Sequence, residues 1–457
     1  MQIPFVGQAY AHESLPISAQ ESINWYVEVN PETRAPISLQ PTPGAKLFVA
    51  VGGGPIRGLH KMGDKIYAVT GEALYSITEV GVAVNLGAIE GTARVSMADN
   101  GTHLVIVNGT QGYSYTDGGS LAALDSDYQP SESVTYLDGY FVFVQKGTGK
   151  MFSSGLLDVS IDPLDFATAE SAPDNALAVI SDHRELFVFG ETSTEVWYNA
   201  GGSSFPFSRS TILELGCAAA HSVAKIDNTV FWLADDGTIR RAEGYTPMAI
   251  STTALSREIN GYTTLSDAFA YTYYYKGVPF YKITFPSEGK TWVYNAASGF
   301  WHREQTLNKG RHLSNCYVRA FNKHFVGDFE NANIYELDSD THTDNGAAIQ
   351  RIRTTQHLQA DNKRVFMSNL QILFEHGKGL TTGQGSDPQA MLQWSDDGGR
   401  TFSQEHWRGM GKIGEYTRRS IWRRLGSFRD RVIRLTVADP VRAVVLDATA
   451  DIEVGDG

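Results

Sequence analysis

The run Val134-Thr135-Tyr136-Leu137-Asp138-Gly139-Tyr140-Phe141-Val142-Phe143-Val144 decides the fold class, because it contains a complete β-hairpin. Asp-Gly is favoured in two-residue hairpin turns, since both residues tolerate the positive φ angles that such turns demand. The flanking residues are mostly β-branched or aromatic, the types enriched in strands. A further short run, Met151-Phe152, follows after a polar gap. The segment therefore predicts consecutive antiparallel strands.

The same pattern recurs along the first 350 residues. Turns fall near positions 64, 100, 138, 183, 227, 276 and 322, so successive turns are 36 to 49 residues apart. A period of this length with three or four strands is typical of a β-propeller blade. Seven blades are favoured and six also fit, while an irregular array of β-sandwiches is the alternative. The fold class is all-β in each case.

Composition narrows the functional classes. The chain has 457 residues, 42% of them hydrophobic, and a formal net charge of −13. This is a globular composition, long enough for a large domain and a smaller one. The two cysteines, Cys217 and Cys316, exclude a disulfide framework. No apolar run is long enough to predict a membrane span, and the acidic total argues against a general nucleic-acid binder.

Charge divides the chain into two parts. Residues 351–457 hold 16 Lys and Arg against 13 Asp and Glu, a net of +3, whereas residues 1–350 hold 22 against 38, a net of −16. The C-terminal part has alternating strand-like runs without the repeat, which predicts a small β-sandwich. The predicted division is an N-terminal arm over 1–50, a β-propeller over 51–349 and a C-terminal β-sandwich-like module over 350–457.

One local motif has a recognisable turn chemistry. Ser395, Asp397, Gly399, Thr401 and Phe402 resemble the Asp-box of sialidases and related β proteins, in which the Asp side chain binds backbone amides and Gly supplies positive φ. The box is structural in those enzymes, and here it occurs once, outside the repeats. It predicts a hairpin turn. A glycan-binding or sialidase-like propeller remains the alternative, although the repeats lack the further boxes and the arginine triad of such enzymes.

No other motif predicts chemistry. Carboxylate pairs such as Asp125 with Asp127 lack calcium-loop spacing, and the chain has no zinc helix, P-loop or nucleophile elbow. We therefore predict no catalytic residue, no cofactor and no metal ion.

The densest charge cluster lies in the C-terminal module. It consists of Arg418, Arg419, Arg423, Arg424, Arg429, Arg431 and Arg434, with Trp422 and Phe428 interleaved. Arginine and tryptophan are favoured anchors of protein interfaces, and an interface is the preferred interpretation. A phosphate-contacting patch with stacking aromatics is the alternative.

A family resemblance extends over nearly the whole chain. It rests on the order of several short stretches: Asn24-Trp25-Tyr26, Pro41-Thr42-Pro43-Gly44, Arg57-Gly58-Leu59, Gly190-Glu191-Thr192-Ser193-Thr194-Glu195-Val196-Trp197-Tyr198, Phe205-Pro206-Phe207, Leu215-Gly216-Cys217-Ala218-Ala219, Val230-Phe231-Trp232-Leu233, and Ser395 to Phe402. Together they resemble the packaged-DNA stabilisation protein family of short-tailed bacteriophages (podoviruses), also described as tail accessory factors or tail nozzles.

The resemblance implies a structural virion protein of the phage tail, not an enzyme, made in the cytoplasm of the host bacterium. It implies a homo-hexameric ring below the portal-adaptor that extends the DNA channel, receives a tail needle or plug and, in the best-known members, carries tailspikes outside. Such a ring helps to retain packaged DNA and passes it during ejection. The charge split adds two hypotheses: a basic module meets an acidic propeller between subunits, and DNA moves through the lumen without tight binding.

Overall fold

The chain forms two compact units. The computed structural model describes residues 2–3, 5, 14–15, 17–32, 36–169, 173–202 and 204–455. The sandwich unit comprises Met1–Lys46, Lys290–His312 and Asp338–Gly457, and the propeller unit comprises Leu47–Gly289 and Leu313–Leu337. The predicted boundaries at 50 and 349 stay a prediction, and part of the predicted arm (residues 1, 4, 6–13, 16 and 33–35) lies outside the described residues.

The propeller unit consists of successive antiparallel repeats. Repeat 1 has the strands Ile56–Met62, Lys65–Thr70, Ala73–Ile77 and Ala83–Ala88, and repeat 2 has Ser96–Asp99, His103–Val107, Gly112–Thr116 and Leu121–Ala123. Repeat 3 has Val134–Leu137, Tyr140–Val144, Lys150–Ser154 and Ile161–Thr168. Repeat 4 has Ala176–Asp182, Glu185–Gly190, Thr194–Asn199 and Phe207–Leu213. Repeat 5 has Ala224–Ile226, Thr229–Leu233, Ile239–Glu243 and Thr246–Ala249; repeat 6 contributes Phe269–Tyr275 and Val278–Phe285; and repeat 7 has Ser314–Ala320, Lys323–Asp328 and Asn333–Asp338. A 3-10 helix, Ala220–Ser222, and an α-helix, Thr253–Asn260, lie beside repeat 5.

Tight turns connect the first two strands of most repeats. Both residues of the two-residue turn have positive φ in five repeats: Asp138-Gly139, His183-Arg184, Asp227-Asn228, Lys276-Gly277 and Phe321-Asn322. This geometry matches the right-handed twist of the paired strands. The hairpin predicted from residues 134–144 is present, with Val134 opposite Phe143 and Leu137 opposite Tyr140.

Hydrogen bonds join the repeats into a closed ring. They run from repeat to repeat as Val95 N to Arg57 O (3.4 Å), Val134 N to Ser96 Oγ (3.2 Å), Val179 N to Ser133 Oγ (3.0 Å), Lys225 Nζ to Ser181 O (2.6 Å), Thr272 Oγ1 to Lys225 O (2.7 Å), Tyr271 OH to Ser314 Oγ (2.8 Å), and Asn315 Nδ2 to Ile56 O (2.8 Å). The last bond returns to repeat 1. Repeat 7 takes its fourth strand from Gly44–Ala50, which lies next to Asn333–Asp338 in the sheet. The blade count stays a prediction, because repeat 6 contributes only two strands to this unit.

The sandwich unit contains two groups of paired strands. One has the order Lys290–Asn295, Phe300–Arg303, Ser22–Ile23, Arg351–Thr354, Asp430–Val437, Gln389–Ser395 and His406–Gly409, with Leu358–Gln359 also on Asp430–Val437. The other has the order Trp25–Val29, Ile37–Pro41, Val445–Val454, Val365–Phe374 and Ser420–Arg423, with Ser427–Phe428 also on Val365–Phe374. Two short strands, Thr343–Asp344 and Ala347–Ala348, form a hairpin, and Gly44–Ala50 begins in this unit and ends in the propeller unit.

The N-terminal segment is part of the sandwich core. Trp25 is fully buried in one cluster with Leu370, Trp422 and Ile433, and its Nε1 donates to Ala443 O over 2.8 Å. Residues more than 400 positions apart thus share one apolar interior, which is why the arm showed no repeat of its own.

Candidate functional site

The predicted interface lies where two sheets of the sandwich unit end. His406–Gly409 is the last strand of one sheet and Ser420–Arg423 is the last strand of the other. The edges adjoin, because Arg408 Nε donates to Ile421 O over 2.9 Å and Ser420 Oγ donates to Gly409 O over 2.9 Å. A pair of sheet edges therefore presents its side chains together.

Arginines dominate this edge. Arg408, Arg418, Arg419 and Arg423 are exposed, and none of them has a carboxylate partner among the described residues. Arg419 donates instead to the neutral Gln371 Oε1. We call these four arginines, together with Trp407, the arginine patch.

Trp422 does not belong to this surface. It is 1% exposed, lies opposite Leu370 in the strand register, and donates from Nε1 to His406 O over 2.6 Å. Arg424 lies in the turn after the strand with φ 60°, and its side chain is exposed. The predicted aromatic anchor is thus a core residue.

In the segment 406–424 the exposed tryptophan and tyrosine side chains are Trp407 and Tyr416, neither of which the sequence predicted as an anchor. Trp407 is 51% exposed and Tyr416 is 72% exposed. Trp407 is exposed because it lies between His406 and Arg408 in a short strand at a sheet edge. A single sequence does not reveal that this strand is at the edge.

Of the remaining arginines of the cluster, Arg431 and Arg434 face inward, whereas Arg429 is exposed and donates from Nη1 to Asn362 O over 2.6 Å. Arg431 makes a bidentate ion pair with Asp396 at 2.6 and 2.8 Å and lies over the Phe428 ring at 4.2 Å. Arg434 lies over the Phe402 ring at 3.6 Å. These two side chains stabilise the module, so the charge run in the sequence is divided between the interior and the surface.

The Asp-box residues form a self-contained turn. Asp397 Oδ1 accepts from Ser395 Oγ at 2.6 Å and from the amides of Arg400 and Thr401 at 2.9 Å each, while the Gly399 amide donates to Ser395 Oγ over 2.8 Å. The Ser395 and Thr401 hydroxyls, followed by these amides, hold the pKa of Asp397 well below its ordinary value. Its acceptor oxygens are occupied by the turn, which is a structural arrangement.

The first strands of the repeats line an open cavity of about 510 Å³. Its charged groups are already paired within the propeller unit. His60 Nε2 lies 2.7 Å from Asp99 Oδ1, and Arg94 donates to both Asn315 O and Asn315 Oδ1 over 2.7 Å. Burial, with a smaller effect of the Arg94 charge, lowers the pKa of His221 to about 3, so this imidazole is neutral at pH 7.

The pKa of Asp99 reflects its hydrogen bonds in the cavity wall. Burial alone would raise the pKa of its carboxyl, but the hydrogen bond and charge of His60 and the amide of Gly101 lower it below the ordinary value. The cavity wall is therefore a set of satisfied hydrogen bonds that links the repeats.

Among the described residues, no group of three or more His, Cys, Asp or Glu side chains is arranged to hold a metal ion. No helix in the same part of the chain is long and apolar enough to cross a membrane.

Two family models match the chain in the order of its parts. The model described as bacteriophage P22 Gp10, β-propeller, matches residues 1–342, and the model described as bacteriophage P22 Gp10, β-sandwich, matches residues 350–453. The chain belongs to the bacteriophage P22 Gp10 family. The resemblance to the packaged-DNA stabilisation proteins of podoviruses is thereby confirmed, as is the predicted all-β fold with a propeller and a C-terminal β-sandwich.

Membership of the Gp10 family defines the functional class. The family consists of structural phage proteins, so this chain is a structural phage tail protein and its place is the virion. The family is not known for an enzymatic activity. This favours a structural tail protein over a sialidase-like propeller and agrees with the structural use of the single Asp-box.

Other comparisons are more distant. No curated protein matches the chain. Similar solved structures include PorZ of Porphyromonas gingivalis (11% identity, 72% of this chain, 44% of that chain, TM-score 0.41), the Pan2 WD40 domain of Neurospora crassa (7%, 65%, 96%, 0.42) and a virginiamycin B lyase of Staphylococcus aureus (10%, 62%, 95%, 0.45). The chain thus spans less than half of the PorZ structure. At these TM-scores the likenesses carry no functional argument.

Proposed function

We propose that this Gp10-family chain forms a six-copy ring in a short phage tail, below the portal-adaptor, where it extends the DNA channel. The ring helps to retain packaged DNA, receives a needle or plug and passes the genome during ejection, and tailspikes attach to its outside. The family match over both parts of the chain is the observation that carries this proposal. The closed hydrogen-bonded ring of repeats supports it, because it makes each propeller a rigid block that can be wedged between neighbours.

The ring is tested by mass and by phage assembly. We expect native mass spectrometry of the purified protein, alone or with the portal-adaptor, to give a species of six chains. Particles made without this protein should package DNA and then lose it, which nuclease protection of the packaged genome measures. A different copy number at the adaptor would contradict the ring. Stable DNA-filled heads in the absence of the protein would contradict the retention role.

The acidity of the chain supports a second part of the proposal, that DNA passes without being gripped. Each phosphate neutralised by a cation adds salt-sensitive affinity, so a basic lumen would slow ejection. With a net charge of −13, we expect no binding tighter than the nonspecific range, about 1–100 µM, at physiological salt. Fluorescence anisotropy of a labelled duplex measures this. A submicromolar dissociation constant that weakens steeply with salt would contradict it.

A further inference from the structure

A second exposed surface of this chain lies on the propeller unit. The strand Ile161–Thr168 is the outermost strand of repeat 3 and therefore a sheet edge. Leu164 is 72% exposed and Phe166 is 42% exposed on this edge. An uncovered edge strand with large apolar side chains is a site for association with another chain.

Acidic residues accompany these apolar side chains. Asp158, Asp162 and Asp165 lie on the strand or in the loop before it, and none of them forms an ion pair within the described ranges. The Asp158 carboxylate accepts from Val159 N and Ser160 Oγ over 2.7 Å each. Burial and then the neighbouring charge of Asp162 raise the pKa of Asp165. We call Asp158, Asp162, Leu164, Asp165 and Phe166 the acidic ledge.

The arginine patch has the complementary chemistry. Its four arginines have no carboxylate partner among the described residues, and Trp407, the strand neighbour of Arg408, is exposed at the same sheet edge. Each surface thus combines charge mainly of one sign with exposed apolar area; Lys150, whose Nζ lies 4.8 Å from the centre of the Phe166 ring, is a cation at the ledge. Arginine and aromatic residues are enriched at interface cores, and opposite potentials define partner choice and register.

We propose that the arginine patch of one copy binds the acidic ledge of the next copy around the ring. This inference rests on the proposed ring and names its subunit interface. A cyclic ring uses a heterologous interface, in which two different surfaces of each subunit must match. The two surfaces described here are different and complementary, and both are present on every copy.

A second copy of this chain matches both the arginine patch and the acidic ledge, whereas a nucleic acid matches only the patch. DNA phosphates would match the arginine patch but would be repelled by the ledge, leaving the Leu164 and Phe166 edge uncovered. A neighbouring chain satisfies both surfaces at once. DNA binding by the patch is therefore an outcome that the test must be able to reveal.

Site-directed cross-linking tests the contact. The native thiols do not interfere, because Cys217 and Cys316 are buried, and burial raises their pKa to about 11 and about 12. Arg423→Cys and Leu164→Cys are placed on one chain, and the assembled protein is treated with a short bis-maleimide. We expect a ladder of covalent oligomers up to six chains, since each copy carries both halves of the contact.

The matched control pairs Arg423→Cys with Val82→Cys, another exposed apolar position on the propeller unit. We expect the Leu164 pair to react about 100-fold faster than the control, the ratio of an effective concentration of about 1 mM to a protein concentration of about 10 µM. Equal rates for the two pairs in a protein that forms the six-copy ring overturn this interface and leave the ring standing. Absence of the ring from wild-type protein and from tails overturns both.

A charge-swap series removes dependence on the cross-linker. Arg418→Glu with Arg423→Glu should lower ring yield, as should Asp162→Lys with Asp165→Lys, and combining all four changes on one chain should restore it. Sedimentation velocity measures the yield. Failure of the combined variant to recover, with a normal fold by circular dichroism, overturns the contact. Loss of measurable duplex DNA binding in the first variant would identify DNA as the partner of the patch and overturn it as well.

Discussion

Replacing Arg57 with alanine is expected to lower the free energy of unfolding of the propeller unit by about 3–5 kcal/mol, because it leaves several buried carbonyls without a donor. Arg57 Nε donates to Ala93 O over 2.6 Å, Nη1 to Gly71 O over 2.8 Å and to Ile89 O over 3.1 Å, and Nη2 to Glu90 O over 3.2 Å. The side chain is buried, so water does not replace these bonds at low cost.

Two variants make the Arg57 test specific. Arg57→Lys should recover less than half of the loss, because one ammonium cannot reach carbonyls that a planar guanidinium spans. Lys61→Ala, on the same strand but exposed, should stay within about 0.5 kcal/mol of wild type. Urea unfolding followed by intrinsic fluorescence measures all three. An Arg57→Ala protein within about 1 kcal/mol of wild type would mean that the carbonyls find other donors.

Local chemistry explains why the repeats could be predicted. The Asp138-Gly139 turn and its apolar flanks specify a hairpin within eleven residues, and the structure has that hairpin in the expected register. Turns without glycine are harder to recognise. Phe321-Asn322 adopts positive φ at both residues, although an aromatic residue rarely favours that region. The spacing of the repeats, more than the residue types, located this turn.

Long-range pairing explains what could not be predicted. Ser22–Ile23 pairs with Arg351–Thr354 and Trp25 enters the C-terminal core, contacts that join positions far apart in sequence. No local pattern in the first 50 residues contains that information. The same holds for the pairing of Arg431 with Asp396, which removes one arginine of the predicted cluster from the surface.

The orientation of the strand Ser420–Arg423 explains why Trp422, predicted as an interface anchor, is a core residue. Ile421 and Trp422 are adjacent apolar residues, and neighbours on a strand point to opposite faces. Either register therefore buries one of them, and the flanking arginines suggested that Trp422 faces outward. The partner strand decides the matter, because Trp422 lies opposite Leu370 and packs in the core.

The burial of Trp422 opposite Leu370 leads to the second large expected effect on stability. Trp422→Ala should destabilise the sandwich unit by about 3–5 kcal/mol, the usual loss when a buried tryptophan is truncated and a cavity remains. The side chain is fully packed in the cluster that includes Trp25, Leu370 and Ile433. The Nε1 hydrogen bond to His406 O is lost as well. Chemical unfolding and amide exchange of the sandwich unit measure the change.

The adjacent residue is the matched control, and it separates folding from assembly. Arg423→Ala should leave the free energy of unfolding within about 0.5 kcal/mol of wild type, since its side chain is exposed. It should nevertheless weaken assembly, and more so at low salt, where charge pairs between subunits contribute most. If Arg423→Ala instead unfolds the unit, or Trp422→Ala weakens assembly while leaving stability unchanged, then the two faces of this strand have been assigned in reverse. Two neighbouring side chains thus report separately on the core and on the surface of the same strand.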